Sequence, residues 1–341
     1  MPDIHIRQIG KAGRITLNRP NALNALSYDM AMDIEKALDD WATDPSVALV
    51  IIDAAGDKAF CAGGDIQEMY DTASAGNYEY GRKFWRDEYR MNAKLYNFSK
   101  PYVAFMQGFT MGGGVGISCH GSHRIVCENS QIAMPECGIG LVPDVGGSLL
   151  LARAPGHLGA YLGCTAARMD AGNAIYGGFA DYYIPRDSWP ALIEALETSG
   201  DVTLIDQAAV LAPEATFKAN QAEIDASFGA VTVADMLRGF TGTEWEQTTE
   251  KALRRNCPLS VECTLELVRR VRGFQAIEPA LGMEYRFTSR SASEGDFVEG
   301  IRAVIIDKDR NPQWTPATLE AVTPLKISQM LRPLGADALK L

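Results

Sequence analysis

Two carboxylates stand out in residues 131–147, QIAMPECGIGLVPDVGG. Glu136 and Asp144 lie eight positions apart, and Cys137 is the only ionisable residue between them. Pro135 precedes the first acid and Pro143 the second. Proline fixes its own φ and restricts the residue before it, so both acids are expected on stiff backbone. A carboxylate held rigidly among apolar neighbours is costly to ionise. Its pKa rises, and it becomes suited to act as a general base or a nucleophile. The plainer reading makes both acids turn residues, with Asp144 capping the apolar helix that starts near Gly147.

Two glycine-rich stretches upstream favour the chemical reading. Residues 59–66 read AFCAGGDI, just past an apolar run expected to be a buried strand. Gly63 and Gly64 let the backbone approach a ligand and aim N–H groups at it. Residues 108–121 read GFTMGGGVGISCHG, with Gly112, Gly113 and Gly114 where a strand should hand over to a helix. A helix N-terminus carries free N–H groups and partial positive charge, which stabilise a developing anion. Each stretch alone also reads as an ordinary tight turn. Together they can supply two backbone donors, which make an oxyanion hole, and a downstream carboxylate can then attack, activate water or move a proton. Thioester or ester carbonyl chemistry fits that set. Glu88, inside the helix expected over residues 78–98, reads from the sequence alone as a solvated helix charge.

The elements that must position these groups follow layered α/β logic. Residues 4–9 (IHIRQI) and 12–17 (AGRITL) pattern as two strands of a hairpin across Gly10-Lys11. Ser27 is a good N-cap for a helix running to about Trp41. The runs VALVII at 47–52 and YVAFM at 102–106 have the continuous apolar character of strands buried on both faces, and a short strand is expected at 124–127. The order strand, strand, helix, buried strand indicates an α/β fold. Beyond Gly156 the pattern turns helical, with pieces at 159–163, 171–176, 188–197, 244–255, 259–271 and 297–306. The tail after Pro324 carries no clear pattern.

Composition narrows the partners. Charged residues make up 22% and hydrophobic residues 47% of the 341, as in a soluble globular enzyme. A net charge of -11 disfavours wrapping of nucleic acid or of an anionic membrane. The seven cysteines are odd in number and form no CxxC pair, and the four histidines have no metal-ligand spacing. Reduced, mostly buried thiols and no metal site are therefore expected. The sequence shows no secretory-signal pattern and no apolar run of the roughly 20 residues that a membrane span needs.

These residues also carry a resemblance. The segments LNRPNALNAL (17–26), AFCAGGDI (59–66), GFTMGGGVGIS (108–118) and MPECGIGLVPDVGG (134–147) resemble the crotonase, or enoyl-CoA hydratase/isomerase, superfamily. Within it the chain looks most like the 3-hydroxyisobutyryl-CoA hydrolases, through TMGGGVG, PDVGG and the block EYRFTSRSASEGDFVEGIRAVIIDKDRNPQWTP at 284–316. The resemblance implies a crotonase-like core of ββα repeats over residues 1–200 and a helical region over 201–341 that covers the active site. Carried over by position, the oxyanion donors are the N–H groups of Gly64 and Gly113. Glu136 is the catalytic glutamate, Asp144 its companion acid, Glu88 a substrate-contacting glutamate, and the Ala62 carbonyl holds the adenine end of coenzyme A. Arg19 and Lys58 are candidates for the phosphates by proximity alone.

One departure from the wider superfamily is informative. Hydratases place a second catalytic glutamate two residues after the triple glycine, and that position here is Gly116. Cys137-Gly138 also stands where a small hydroxyl residue and alanine are expected. The resemblance therefore implies hydrolysis of a short branched 3-hydroxyacyl-CoA, as in valine breakdown, with coenzyme A as part of the substrate and no other cofactor. The alternatives are an enoyl-CoA isomerase or hydratase on the same fold, and a catalytically silent acyl-CoA-binding protein. The resemblance also admits a homo-oligomer, since superfamily members often form trimers or hexamers. The expected compartment is the bacterial cytoplasm, or an organellar matrix for a processed chain.

Overall fold

The structure is a computed structural model and describes residues 2–341. Contacts divide the chain into two units. The first holds the chain through Asp65, Arg90–Ala133 and Arg168–Lys218. The second holds Ile66–Tyr89, Met134–Ala167 and Ala219–Leu341.

The first unit is built on two sheets. The larger has the order β1-β2-β3-β5-β7-β9, with β1 Ile4–Ile9, β2 Ala12–Leu17, β3 Leu49–Ala54, β5 Tyr102–Met106, β7 His123–Val126 and β9 Tyr182–Tyr183. Strands β1 and β2 form the expected hairpin, with Ile4 opposite Leu17 and Ile9 opposite Ala12. The remaining pairs are parallel, as the unbroken apolar runs require. One face packs Ala12, Leu49, Ile51, Val103, Phe105 and Ile125 against Trp189, Leu192, Leu196 and Ile205. On β2, Trp41 of the helix Tyr28–Thr43 lies against Gly13, where a Cβ would stand 2.5 Å from the indole ring.

The smaller sheet has three parallel strands, β4 Ala59–Cys61, β6 Phe109–Met111 and β8 Gln131–Ala133. Sequence periodicity does not reveal strands of three residues. Each follows a longer strand within a few residues, β4 after β3, β6 after β5 and β8 after β7, which is the ββα repeat of the core.

The segment 17–26 braces the end of β4. Asn24 Nδ2 donates to the carbonyls of Ala55 (3.0 Å) and Ala59 (2.9 Å), and its Oδ1 accepts from Arg19 N at 2.8 Å. Ala62 N donates to Leu23 O at 3.0 Å. The Arg19 guanidinium bonds the Ala25 carbonyl and pairs with Asp65 and Asp3. These contacts give Arg19 an architectural role.

The second unit is helical. The helices Gly147–Arg153, Leu158–Thr165, Pro258–Val271 and Ile277–Glu294 are its main pieces near the acids. A Cβ on Gly163 would stand 2.9 Å from the Thr264 methyl, so glycine lets two of them approach closely. Thr243 and Glu246 form a capping box on Glu244–Arg255, and Pro258 opens the next helix. The tail has order of its own. Thr323 caps a helix Pro324–Met330, and Arg290 Nη1 donates to the carbonyls of Met330 (3.0 Å) and Arg332 (2.8 Å). No helix among the described residues is long and apolar enough to cross a membrane.

The brace at Asn24 yields a stability prediction. Asn24→Ala strands the buried Ala59 carbonyl, whose loss of a partner costs about 1–3 kcal/mol, and the part-buried Ala55 carbonyl and Arg19 N–H. Chemical denaturation should show about 2–4 kcal/mol less stability than wild type, because water reaches part of the site. A change under about 0.5 kcal/mol would mean that the loop is held elsewhere.

Candidate active site

Gly64 and Gly113 both lie in the first unit, just beyond the carboxyl ends of β4 and β6. Leu26 bridges Gly64 in parallel fashion, with Leu26 N bonded to Gly63 O and Asp65 N to Leu26 O, each at 2.8 Å. In that pattern the N–H of Gly64 itself points away from Leu26. Gly63 has φ +113, which excludes a side chain without strain. A Cβ on Gly114 would stand 2.4 Å from the Cys61 carbonyl oxygen, so the two glycine stretches are in direct contact. Neither the Gly64 nor the Gly113 N–H has a backbone partner among the described residues. The helix expected to begin at the triple glycine is only one turn, Gly113–Gly116. A macrodipole sums over aligned peptides, so one turn contributes little of it. Whatever stabilisation this site gives an anion comes from the individual N–H groups.

The acids lie in the second unit. Glu136 opens a 3-10 turn, Glu136–Ile139, directly after Pro135. Asp144 follows Pro143 in the turn that leads into the helix Gly147–Arg153. Glu136, Asp144 and Glu88 are each only 4% exposed. Glu136 Oε2 and Glu88 Oε1 are buried without a hydrogen-bond partner. Neither shows an ion pair with a basic side chain. A structural carboxylate in such a place ordinarily has its partners supplied.

Two further residues join them that the sequence reading did not single out. Tyr89 Oη donates to Asp144 Oδ2 at 2.7 Å and also contacts Thr288 Oγ1 at 3.3 Å. Glu284, fully buried, accepts from Gly146 N at 2.9 Å, from Ser148 N at 3.0 Å and from the Ser148 hydroxyl. The cap expected from Asp144 is therefore supplied by Glu284, while the Asp144 side chain turns to Tyr89. Tyr89 lies inside the helix expected over residues 78–98, and its hydroxyl has no sequence signal. Glu284 lies in a matched motif, but nothing local connects it to residues 146–148.

The charges press on one another. Burial, then the negative charge of Asp144, holds Glu136 well above the usual carboxylate range, with Glu284 and Glu88 adding to the effect. Burial pushes Asp144 up to about 7 against the opposing hydrogen bond from Tyr89. Glu284 is raised to about 8 by burial, in spite of its Ser148 and Gly146 donors. Glu88 is raised by burial and by Asp144. Such a cluster shares protons and titrates as a group. Cys137 is buried with its sulfur 3.2 Å from Thr264 Oγ1, and a Cβ on Gly138 would meet Asn256 Oδ1 at an ordinary 3.6 Å. The alanine expected at 138 would therefore fit, and this change leaves the acids undisturbed. Among the described residues no cluster of metal-ligating side chains occurs.

The chain is similar to known proteins over nearly all of its length. The sequence model of a family described as enoyl-CoA hydratase/isomerase matches residues 12–331. The mitochondrial 3-hydroxyisobutyryl-CoA hydrolase of Rattus norvegicus is 37% identical, over 99% of this chain and 91% of its own. A solved structure described as an enoyl-CoA hydratase from Rhodobacter sphaeroides is 51% identical over the full length of both chains, with a TM-score of 0.95. Another, described as a carnitinyl-CoA dehydratase from Mycobacterium thermoresistibile, is 38% identical, with a TM-score of 0.93 over 98% of this chain and 97% of its own. The paired sheets, the two glycine turns and the full-length match place the chain in one group: it belongs to the enoyl-CoA hydratase/isomerase, or crotonase, family.

Proposed function

We propose that this protein hydrolyses the thioester of a short branched 3-hydroxyacyl-CoA, namely 3-hydroxyisobutyryl-CoA, releasing 3-hydroxyisobutyrate and coenzyme A in valine breakdown. The observation that carries the reading is the buried carboxyl of Glu136, one oxygen of which has no partner, beside Asp144 in a chain whose position 116 is glycine. Hydration of a double bond conventionally uses two glutamates, and the second is missing. The relatives named 3-hydroxyisobutyryl-CoA hydrolase support the same choice. The hydratase and dehydratase descriptions of the two solved structures are the competing reading, and Gly116 weighs against it.

The proposed roles follow from chemistry. The N–H groups of Gly64 and Gly113 polarise the thioester carbonyl and hold the oxyanion of the tetrahedral intermediate. Glu136 acts by one of two routes. As nucleophile it attacks the carbonyl carbon, the C–S bond breaks, the thiolate takes up a proton, and water then cleaves the mixed anhydride. As general base it takes a proton from water while that water attacks. Asp144 and Glu88 receive the 3-hydroxyl of the acyl group. A buried acceptor left empty by the deoxy analogue discriminates strongly, by roughly 10⁴–10⁵ in favourable cases. The Ala62 carbonyl meets the adenine end of coenzyme A, which enters as part of the substrate. No metal or redox group takes part in this chemistry.

Residues 201–341 act as the helical region that completes the acid site, and the reach of Glu284 to the Asp144 turn supports this. For assembly we propose either a homo-oligomer, as superfamily members often form trimers or hexamers, or a chain whose longer C-terminus replaces intersubunit contacts. For the compartment we propose a cytoplasm or an organellar matrix, the latter being where the relatives named mitochondrial reside.

Free-thiol release tests the function. Wild type should release coenzyme A rapidly from 3-hydroxyisobutyryl-CoA, and far more slowly from isobutyryl-CoA. Glu136→Gln should lose at least about 10²–10⁴ in rate, the usual worth of a positioned proton-transfer group. Consumption of crotonyl-CoA without thiol release would instead support hydratase or isomerase chemistry.

The acid cluster also sets how activity and stability depend on pH. Asp144 raises the pKa of Glu136, so Asp144→Asn should move the acidic limb of the kcat/KM profile to lower pH, whatever its effect on the maximum. A limb that stays in place or moves up would contradict the coupling. For stability, the folded pKa values exceed those of unfolded carboxyls, about 3.9–4.3. Their contribution is complete below the unfolded values and is lost as pH rises through about 7 for Asp144 and about 8 for Glu284. Removing one acid lessens that loss. Melting temperatures should therefore show Glu136→Gln gaining on wild type between pH 5 and pH 9; a constant difference would refute the argument.

A further inference from the structure

The turn that carries Asp144 is strained. Asp144 O accepts from Gly147 N at 2.7 Å, and the two residues between them, Val145 (φ +53) and Gly146 (φ +79), both have positive φ. That is the pattern of a type I′ turn, whose favoured central pair is Asn-Gly. A β-branched residue at the first central position is a steric outlier, and such conformations persist only where the surroundings over-determine them.

The surroundings here are specific. Glu284 takes the N–H groups of Gly146 and Ser148, which bracket the end of the turn, one on each carboxylate oxygen. The Ser148 hydroxyl supplies a third donor. One helical turn along Ile277–Glu294 from Glu284, Thr288 contacts the Tyr89 hydroxyl that holds the Asp144 carboxylate. One helix thus serves both the backbone and the side-chain end of Asp144. Glu284 is fully buried with no cation among its hydrogen-bond partners, an expensive placement for a residue that only fills space.

We propose that Glu284, with Ser148, is a positioning residue: it holds the Val145–Gly146 turn in its strained conformation and so fixes where the Asp144 carboxylate stands. The proposal deepens the hydrolase reading and rests on it for the meaning of Asp144, but the geometry of the turn can be tested without any substrate.

The experiment compares wild type, Glu284→Gln, Ser148→Ala and Glu284→Gln/Val145→Asn. Glu284→Gln keeps the shape but replaces one acceptor oxygen with a donor. It should lower the ratio of kcat/KM for 3-hydroxyisobutyryl-CoA over isobutyryl-CoA by about 10-fold or more, because an acceptor that has moved no longer favours the hydroxyl. Val145→Asn puts the intrinsically favoured pair into the turn, so the double variant should recover most of that ratio without restoring the Glu284 contacts. A purely structural role for Glu284 would lower both substrates together and gain nothing from Val145→Asn.

Crystal structures of Glu284→Gln, or of Ser148→Ala if the first does not fold, give the second readout. Residue 145 should leave positive φ, with displacement of the Asp144 carboxylate. A turn that stays in place in these variants, or a collapsed ratio that Val145→Asn does not rescue, would overturn the proposal. Wild type that releases no thiol would sink the hydrolase reading alone, and the structures would still decide the role of Glu284.

Discussion

Desolvated negative charge is the constraint on which this site depends. Glu88, Glu136, Asp144 and Glu284 are all removed from water in one unit of the fold, and none of them shows an ion pair with a basic side chain. Four buried carboxyls would destabilise an ordinary core, since a buried charge without a partner costs several kcal/mol or takes up a proton. The local structure offsets part of that cost with hydrogen bonds. Tyr89 serves Asp144, while backbone N–H groups and Ser148 serve Glu284. The offset is selective. Among the described residues Glu136 Oε2 and Glu88 Oε1 receive no hydrogen bond, whereas Asp144 accepts one from Tyr89 and Glu284 accepts three.

The ββα repeats explain how a modest fold carries several such groups. Three successive repeats each end in a three-residue strand of one parallel sheet, and the chain beyond each strand bears one of the groups in question. Gly64 comes three residues after β4, Gly113 two after β6 and Glu136 three after β8. Parallel strands finish at the same edge, and in open α/β sheets ligands bind past that edge. Repetition turns Gly64 and Gly113, remote in sequence, into equivalent positions of the first unit. The brace of residues 17–26 holds the chain that leads to Gly64 through hydrogen bonds from Asn24 to the carbonyls of Ala55 and Ala59.

Much of this was legible in the sequence where local chemistry carried it. The hairpin 4–9/12–17 and the helices 171–176 and 244–255 emerge as read, because alternation, capping and charge at helix ends are local signals. The prolines before Glu136 and Asp144 marked stiff turns correctly. What escaped has physical causes. Strands β4, β6 and β8 are shorter than any period that could reveal them. The helix after the triple glycine stops after one turn, so the dipole expected there hardly exists. The ion pairs of Arg19 with Asp65 and Asp3 have no sequence signal because these residues come together only in three dimensions.

Glu284 shows the deeper limit. In sequence it is one charge in a helical stretch, and its partners lie 136 and 138 residues away. Nothing local about residues 146–148 asks for a carboxylate either: two glycines before an apolar helix explain themselves as a turn. The clue that was present is the mismatch at Val145. A type I′ turn prefers asparagine before glycine, and a valine there is locally inconsistent. Local inconsistency of this kind is expected where function, rather than stability, selects the conformation. A valine forced to positive φ, an acid beside it raised to about 7, and a distant carboxylate gripping the backbone of Gly146 and Ser148 are therefore one feature. The strain at residue 145 and the charge at residue 284 are the two ends of the device that holds Asp144.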